Sequence, residues 1–397
     1  MRVALFTDTY APEVNGVART LKRWVDFLSS RGIPCKVFAP TPAAADTGPE
    51  YEDNAVERYF SLPFVLYPEC HFTLPNPIHL KKTLGQFQPT LIHVATPFNV
   101  GWFGSRYAAK HGIPCVASYH THFDQYLDYY KMNWMEPLLW KYLSWFHAGF
   151  RKVYVPSRSA MEHLQNRGFP EMEIWGRGID LALYPQEADR ERTLRSFGAD
   201  PDKFTALYVG RLALEKSIDV LLDAFRAVPE LERSRMQLII AGGGPLYQEL
   251  CDTYGAAECG NILLPGFVRG PRLQELYAAA DVFLFPSSTE TFGNVVLESM
   301  AGGTPVIGAA AGGVQDIVTH GTTGLLCRPR AVSQFTQALL ELYGREGYRR
   351  RLGDNARAYA AAQSWEHIFR RLLASYEQVL QEAGTANGSS EDQVLSI

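Results

Sequence analysis

The sequence predicts an α/β protein built from two doubly wound domains with parallel sheets, and three observations carry that expectation. The chain has 397 residues, 46% of them hydrophobic, enough for two sizeable cores and too much for one domain of ordinary size. Strand-length apolar runs alternate with helix-length amphipathic stretches, the rhythm of a parallel sheet covered on both faces. That rhythm breaks close to Asp180 and then restarts.

The first forty residues hold one β-α-β unit. An apolar strand ends at Phe6, a polar loop runs through Gly16, an amphipathic helix extends to about Ser30, and a second strand follows Gly32-Ile33-Pro34-Cys35. The same punctuation returns at His111-Gly112-Ile113-Pro114-Cys115, ahead of a strand over Val116 to Tyr119. Glycine there ends a helix in the left-handed conformation and proline prevents its continuation, so one helix-to-strand junction is used twice. Further strands are expected at Thr90 to Val94 and Lys152 to Val155. The polar stretch Ile179 to Pro201, with two prolines, reads as the linker.

The second series comprises Thr205 to Val209, Met236 to Ala241, Asn261 to Leu264, Val282 to Phe285 and Pro305 to Gly308, again with helix-length segments between. After Pro329 the chain reads as helices. In the last of them, residues 364–381, Trp365, Ile368, Phe369, Leu372, Leu373, Tyr376, Val379 and Leu380 make one apolar face. The domains expected are therefore 1–180 and 181–363, then this helix, then a polar tail over 382–397 that reads as disordered.

A net charge of −4 without a long run of one sign offers no footprint for nucleic acid. The six cysteines, Cys35, Cys70, Cys115, Cys251, Cys259 and Cys327, contain neither a CxxC pair nor zinc-site spacing, as expected of a reduced cytosolic protein. Met1 leads into the short apolar run Val3-Ala4-Leu5-Phe6, too brief for a signal peptide or a membrane span.

The strongest chemical signal is Ser287-Ser288-Thr289-Glu290-Thr291-Phe292-Gly293-Asn294-Val295-Val296-Leu297-Glu298, directly after the strand ending at Phe285. A carboxylate at a parallel strand's end lies where open α/β sheets bind ligands. The helix beginning at Phe292-Gly293-Asn294 offers free N–H groups and a positive dipole end to an anion such as a diphosphate. Glu298, two turns on, suits sugar or ribose hydroxyls; the plainer alternative is a helix start with ordinary acidic residues. Arg211 and Lys216, just past the strand ending at Val209, are two cations where a diphosphate needs neutralising without a metal, or else solvated charges at a helix start.

These segments resemble the E-x7-E motif of the retaining glycosyltransferases of family 4, followed by their Ala301-Gly302-Gly303-Thr304-Pro305 and Gly312-Gly313 stretches. The resemblance spans nearly the whole chain and implies the GT-B fold, two Rossmann-like domains facing across a cleft, with residues 364–381 crossing back to the first. It assigns the donor sugar hydroxyls to Glu290, the ribose to Glu298, the sugar and phosphates to the backbone of Phe292, Gly293, Asn294 and Val295, and the diphosphate clamp to Arg211 and Lys216. It places Gly16 against the donor phosphate and acceptor, and His120, in Ser118-Tyr119-His120-Thr121-His122, near the donor sugar. His122 is the less favoured neighbour, and two histidines without a third ligand close by in sequence make a poor metal site.

The resemblance further implies a front-face mechanism, which fits a first half that offers no obvious carboxylate nucleophile, and it implies no cofactor and no metal. Trp175-Gly176-Arg177-Gly178-Ile179-Asp180 is similar to segments of GDP-mannose-dependent mannosyltransferases, with Arg177 in place of the more common Asn. The expected substrates are a nucleotide sugar, GDP-mannose ahead of UDP-glucose or another UDP-hexose, and a lipid or glycan acceptor. A nucleotide-sugar epimerase or hydrolase, and a non-catalytic binding protein, are the competing readings. The aromatic segment Tyr126 to Phe150 reads either as a buried helix pair or, with Lys131, Lys141, Arg151 and Lys152, as a peripheral contact with the inner face of a membrane.

Overall fold

The computed structural model describes residues 1–13, 15–42, 55–64, 67–129, 132–185, 188–254 and 261–394. Val14, Tyr130, Lys131, Cys259 and residues 395–397, all named or within segments singled out above, lie outside the described residues.

The first half contains the strands Val3–Phe6 (β1), Cys35–Pro40 (β2), Val56–Tyr59 (β3), the antiparallel pair Ser61–Phe64 (β4) and Tyr67–Thr73 (β5), Leu91–Val94 (β6), Cys115–Ser118 (β7), Val153–Val155 (β8) and Met172–Ile174 (β9). Apart from the β4–β5 pair they form one parallel sheet in the order β3-β2-β1-β6-β7-β8-β9. The second half contributes Phe204–Val209 (β10), Met236–Ala241 (β11), Ile262–Gly266 (β12), Val282–Phe285 (β13), Val306–Ala309 (β14) and Gly324–Cys327 (β15), ordered β12-β11-β10-β13-β14-β15 and also parallel. Central strands such as β1, β6, β10 and β13 are buried throughout, as a sheet covered on both faces requires.

This topology fixes where a ligand can sit. Strand order reverses beside β1, which pairs with both β2 and β6, and beside β10, which pairs with both β11 and β13. The loops leaving these strands open a crevice at each switch point.

Between the domains, Ile179 bridges to Ser364 and its N–H donates to Gln363 O over 2.8 Å. The last helix, Trp365–Val394, then packs Phe369, Leu372, Tyr376 and Val379 into the core of the first domain beside Trp24 and Trp175. The helix continues to Val394, beyond Glu382, where disordered chain was expected; the composition of that stretch, with Gly384, Asn387 and Gly388, gives no propensity reason for it. The expected linker is likewise more structured than its polarity implies. Within it the helix Arg190–Ser196 buries Leu194 in the second core.

The aromatic segment divides by face. Leu143, Phe146, His147 and Phe150 are buried, whereas Trp134, Leu138 and Trp145 are 77, 62 and 61% exposed. Lys152, one of the cations proposed for a membrane face, is instead buried and paired with Glu171 and Glu173, both at 3.1 Å.

Candidate active site

A cleft of about 510 Å³ separates the ligand edges of the two sheets. Its lining includes every residue assigned to the reaction and the donor from sequence: Gly16, His120, Arg211, Lys216, Glu290, the run Phe292–Val295, and Glu298.

Two helix starts meet there. Asn15 caps the helix Gly16–Ser30 by accepting the Ala18 N–H at 2.8 Å, and across the cleft the helix Asn294–Ala301 begins after Gly293, whose φ of 96° lies in the left-handed region. A Cβ on Gly16 would lie 2.5 Å from Asn294 Nδ2, so a side chain there would push the Asn294 amide out of its present place. Both positive dipole ends therefore converge on the same space, which suits a diphosphate.

The ionic groups are organised in three pairs. Lys216 Nζ donates to Glu290 Oε1 over 2.6 Å, and Ser287 Oγ donates to the same oxygen over 3.2 Å. Lys216 reaches this position because Ser217 takes the left-handed conformation after the tight turn Leu214–Lys216. Glu298 is buried, accepts from the Tyr277 hydroxyl at 3.1 Å, and lies 3.5 Å from Arg19 Nη1 of the first domain. Burial raises its pKa above the ordinary carboxylate value, against the opposing pull of Arg19 and the Tyr277 hydroxyl. Arg211 Nη1 stands 3.8 Å from the buried Glu215 carboxylate.

His120 is held from all sides. Its Nδ1 accepts from Arg177 Nη2 at 2.9 Å, its Nε2 lies 2.8 Å from Ser118 Oγ, and its carbonyl accepts from Thr291 Oγ1 of the second domain at 2.8 Å. Ser118 Oγ in turn meets His93 Nε2 at 3.0 Å, and His93 Nδ1 meets the Tyr376 hydroxyl on the last helix. Burial first, then the Arg177 and His93 charges, push the His120 pKa well below the usual histidine range. Arg177, whose place in the motif was noted but not its role, thus acts on the predicted histidine directly.

Several participants had no signal in the sequence. Arg19 sits on a helix surface that reads as solvated, and Tyr376 is 283 residues from the histidine it contacts. Asp124, two residues beyond His122, and His163, from a later helix, gather beside it, so the neighbours judged missing are Asp124, which the sequence reading passed over, and His163, which local spacing could not show.

Chemically, the cleft offers cations and helix dipoles to a diphosphate, carboxylates to sugar hydroxyls, and a neutral imidazole between them. Comparison with known proteins identifies the family. The model for "Glycosyl transferases group 1" matches residues 189–359 and that for "Glycosyltransferase Family 4" matches residues 14–183. A GDP-mannose-dependent alpha-mannosyltransferase of Mycolicibacterium smegmatis is 32% identical over 393 residues, covering 96% of this chain and 98% of that one. The sulfoquinovosyl transferase of Arabidopsis thaliana is 28% identical, covering 92% and 71%. Among solved structures, sucrose-phosphate synthase of Thermosynechococcus elongatus superposes with a TM-score of 0.79 at 20% identity, covering 96% of this chain and all of that one. Anabaena HepE in complex with UDP-glucose does so with 0.75 at 19%, covering 95% and 100%. With both halves matched in order and a relative of this identity along its length, the chain belongs to the family 4, group 1 glycosyltransferases and carries their GT-B fold.

Proposed function

We propose that the protein is a retaining hexosyltransferase that uses GDP-mannose as donor and needs no metal for the transfer. The observation that carries this reading is the convergence of Lys216–Glu290, Glu298 and two helix starts on one cleft. GDP-mannose is favoured by the name of the mycolicibacterial relative and by the Trp175-Gly176-Arg177-Gly178 segment. A UDP-hexose donor is the second reading, favoured by the fold shared with a UDP-glucose complex.

In the proposed reaction Arg211, Lys216 and the helix start at Asn294 stabilise the negative charge that grows on the departing phosphate. The bond from the anomeric carbon to the phosphate oxygen breaks with its electron pair going to that oxygen. The acceptor hydroxyl gives its proton to the same oxygen and bonds to the anomeric carbon from the same face, which retains configuration. Among the described residues, none of the cleft lining contributed by the first domain is a carboxylate, which favours this course over a covalent intermediate formed on that domain. Water exclusion between the domains limits donor hydrolysis.

The acceptor proposed is a lipid or a lipid-linked glycan at a membrane surface. Trp134, Leu138 and Trp145 stand exposed along one side of the segment that ends in the helix Glu136–His147, with Lys141 and Arg151 also exposed. Such a face suits peripheral contact with anionic headgroups. No helix among the described residues is long and apolar enough to cross a membrane.

The test is release of nucleoside diphosphate from GDP-mannose and from UDP-glucose, measured with and without acceptor lipid vesicles and with excess chelator. Acceptor-dependent GDP release that survives the chelator supports the reading. Isomerised donor without nucleotide release would instead identify an epimerase, and no turnover of either donor would refute a transferase for these substrates.

A further inference from the structure

We infer that His122, Asp124 and His163 form a binding site for a first-row divalent metal ion of the zinc class, on the first domain and apart from the residues assigned to the diphosphate. One ligand atom from each residue lies within 4.8 Å of the others. His122 follows β7 and lines the cleft, Asp124 stands in the first turn of the helix Phe123–Tyr129, and His163 is near the end of the helix Arg158–Leu164. The first two are 2% and 8% exposed, and the His163 side chain is one quarter exposed.

Two imidazoles and one carboxylate are a donor set that suits zinc and its neighbours. His163 Nε2 lies 2.7 Å from Asp124 Oδ2, so a proton now occupies the place between them that a cation would take. The other carboxylate oxygen, Asp124 Oδ1, is buried without a hydrogen-bond partner among the described residues, a costly state that a bound cation relieves. The Tyr119 hydroxyl stands 3.4 Å from His122 Nδ1. With Nδ1–H donating there, Nε2 is left as the metal-binding atom, the arrangement by which outer hydrogen bonds fix a ligating histidine. The nearby cation, Arg167, is turned aside: its Nη1 donates to His163 O at 2.7 Å and its guanidinium lies 3.8 Å over the Trp140 ring.

Zinc bonds of about 2.0 to 2.2 Å set ligand atoms roughly 3.4 Å apart, so His163 must open slightly from Asp124, a movement within reach of its partly exposed side chain, and the donors standing farther apart must close in. Three protein ligands leave one position open to water or a substrate oxygen, and His122 puts this site at the wall of the cleft. Because all three ligands belong to the first domain, the inference stands or falls independently of the donor assigned to the second.

The experiment uses the full chain, stripped with chelator, titrated with zinc chloride by calorimetry and with cobalt chloride by visible absorption. One equivalent of zinc should bind and raise the melting temperature, and cobalt should give ligand-field bands without thiolate charge transfer that zinc abolishes. His163→Ala, at the most accessible ligand, should lose this binding while its metal-free melting shows that it folds; Tyr119→Phe should weaken binding by about 10- to 100-fold. Absence of saturable binding, a thiolate-type cobalt spectrum, or undiminished affinity in His163→Ala would each overturn the site.

Discussion

Arg177 Nη2 donates to His120 Nδ1 over 2.9 Å, and since a guanidinium carries no acceptor, that contact alone assigns the protons of a whole chain of residues. His120 Nδ1 must be bare, so its single proton sits on Nε2 and is donated to Ser118 Oγ. The Ser118 hydroxyl then donates to His93 Nε2, and His93 Nδ1–H points to the Tyr376 hydroxyl. The expected outcome in nitrogen-15 NMR is a neutral, Nε2-protonated His120 through pH 6. An Nδ1–H tautomer, or an imidazolium signal at that pH, would contradict the assignment.

A second expectation concerns stability against pH. Burial lowers the pKa of His93 to about 3 and of His147 to about 4, and that of His120 falls well below the usual value. Their contribution to stability is complete above the unfolded histidine pKa and is lost as pH falls below about 6.5. Asp8 acts oppositely: burial raises its pKa to about 7, so its contribution is present at low pH and lost as pH rises toward 7. Near pH 5.5 the lowered histidines, His122 at about 4 among them, outnumber the raised carboxyls of Asp8 and Glu298, so unfolding takes up protons and stability rises with pH. Urea midpoints at pH 7.5 and 5.5 check the sign, and Asp8→Asn should gain more at pH 8 than at pH 5.

Replacing Arg211 or Lys216 with Ala should weaken donor binding in calorimetry by about tenfold to a hundredfold, the range of a lost charged hydrogen bond. Lys216→Ala should do additional harm to turnover, because it also leaves Glu290 without its cation. Unchanged donor affinity in both variants would remove them from the site.

The two glutamates should separate in their kinetics. Glu290→Gln should keep affinity for the bare nucleoside diphosphate and lower kcat by at least roughly tenfold, since transfer depends on sugar alignment. Glu298→Gln should weaken the nucleotide itself. Its fold should tolerate the amide, because burial already disfavours the charged form. Near-normal turnover in both would undo the role of this motif.

Trp134→Ser and Trp145→Ser should each reduce cosedimentation with anionic vesicles by roughly tenfold or more, from the apolar area no longer buried in lipid. Neither should shift the melting temperature much, as both side chains are exposed in the free protein.

The parts of this molecule that could be read from sequence are those whose cause is local. β1, β6, β10 and β13 are predominantly apolar runs because both sheet faces are covered, and most of the cleft residues lie in the loops and helix starts that follow strands of the two sheets. β3, Val-Glu-Arg-Tyr, and β9, Met-Glu-Ile, escaped because both are edge strands that mix charge with apolar residues. The His120 chain and the His122 cluster were illegible for another reason: they join separate elements, with His163 39 residues beyond Asp124 and Ser375 bonded to Tyr154 221 residues away. Spacing along a chain carries no trace of such meetings.

The return of the 30-residue last helix to the first domain has a consequence for biosynthesis. A ribosome releases the amino-terminal half first, and domains ordinarily fold as they emerge. Here the slot beside Trp24 and Trp175 stays empty until Phe369, Leu372, Tyr376 and Val379 arrive, after the whole second domain has been made. The nascent first domain must therefore wait with apolar surface open to water, and a truncation at the carboxyl terminus would be felt in the half that was synthesised earliest.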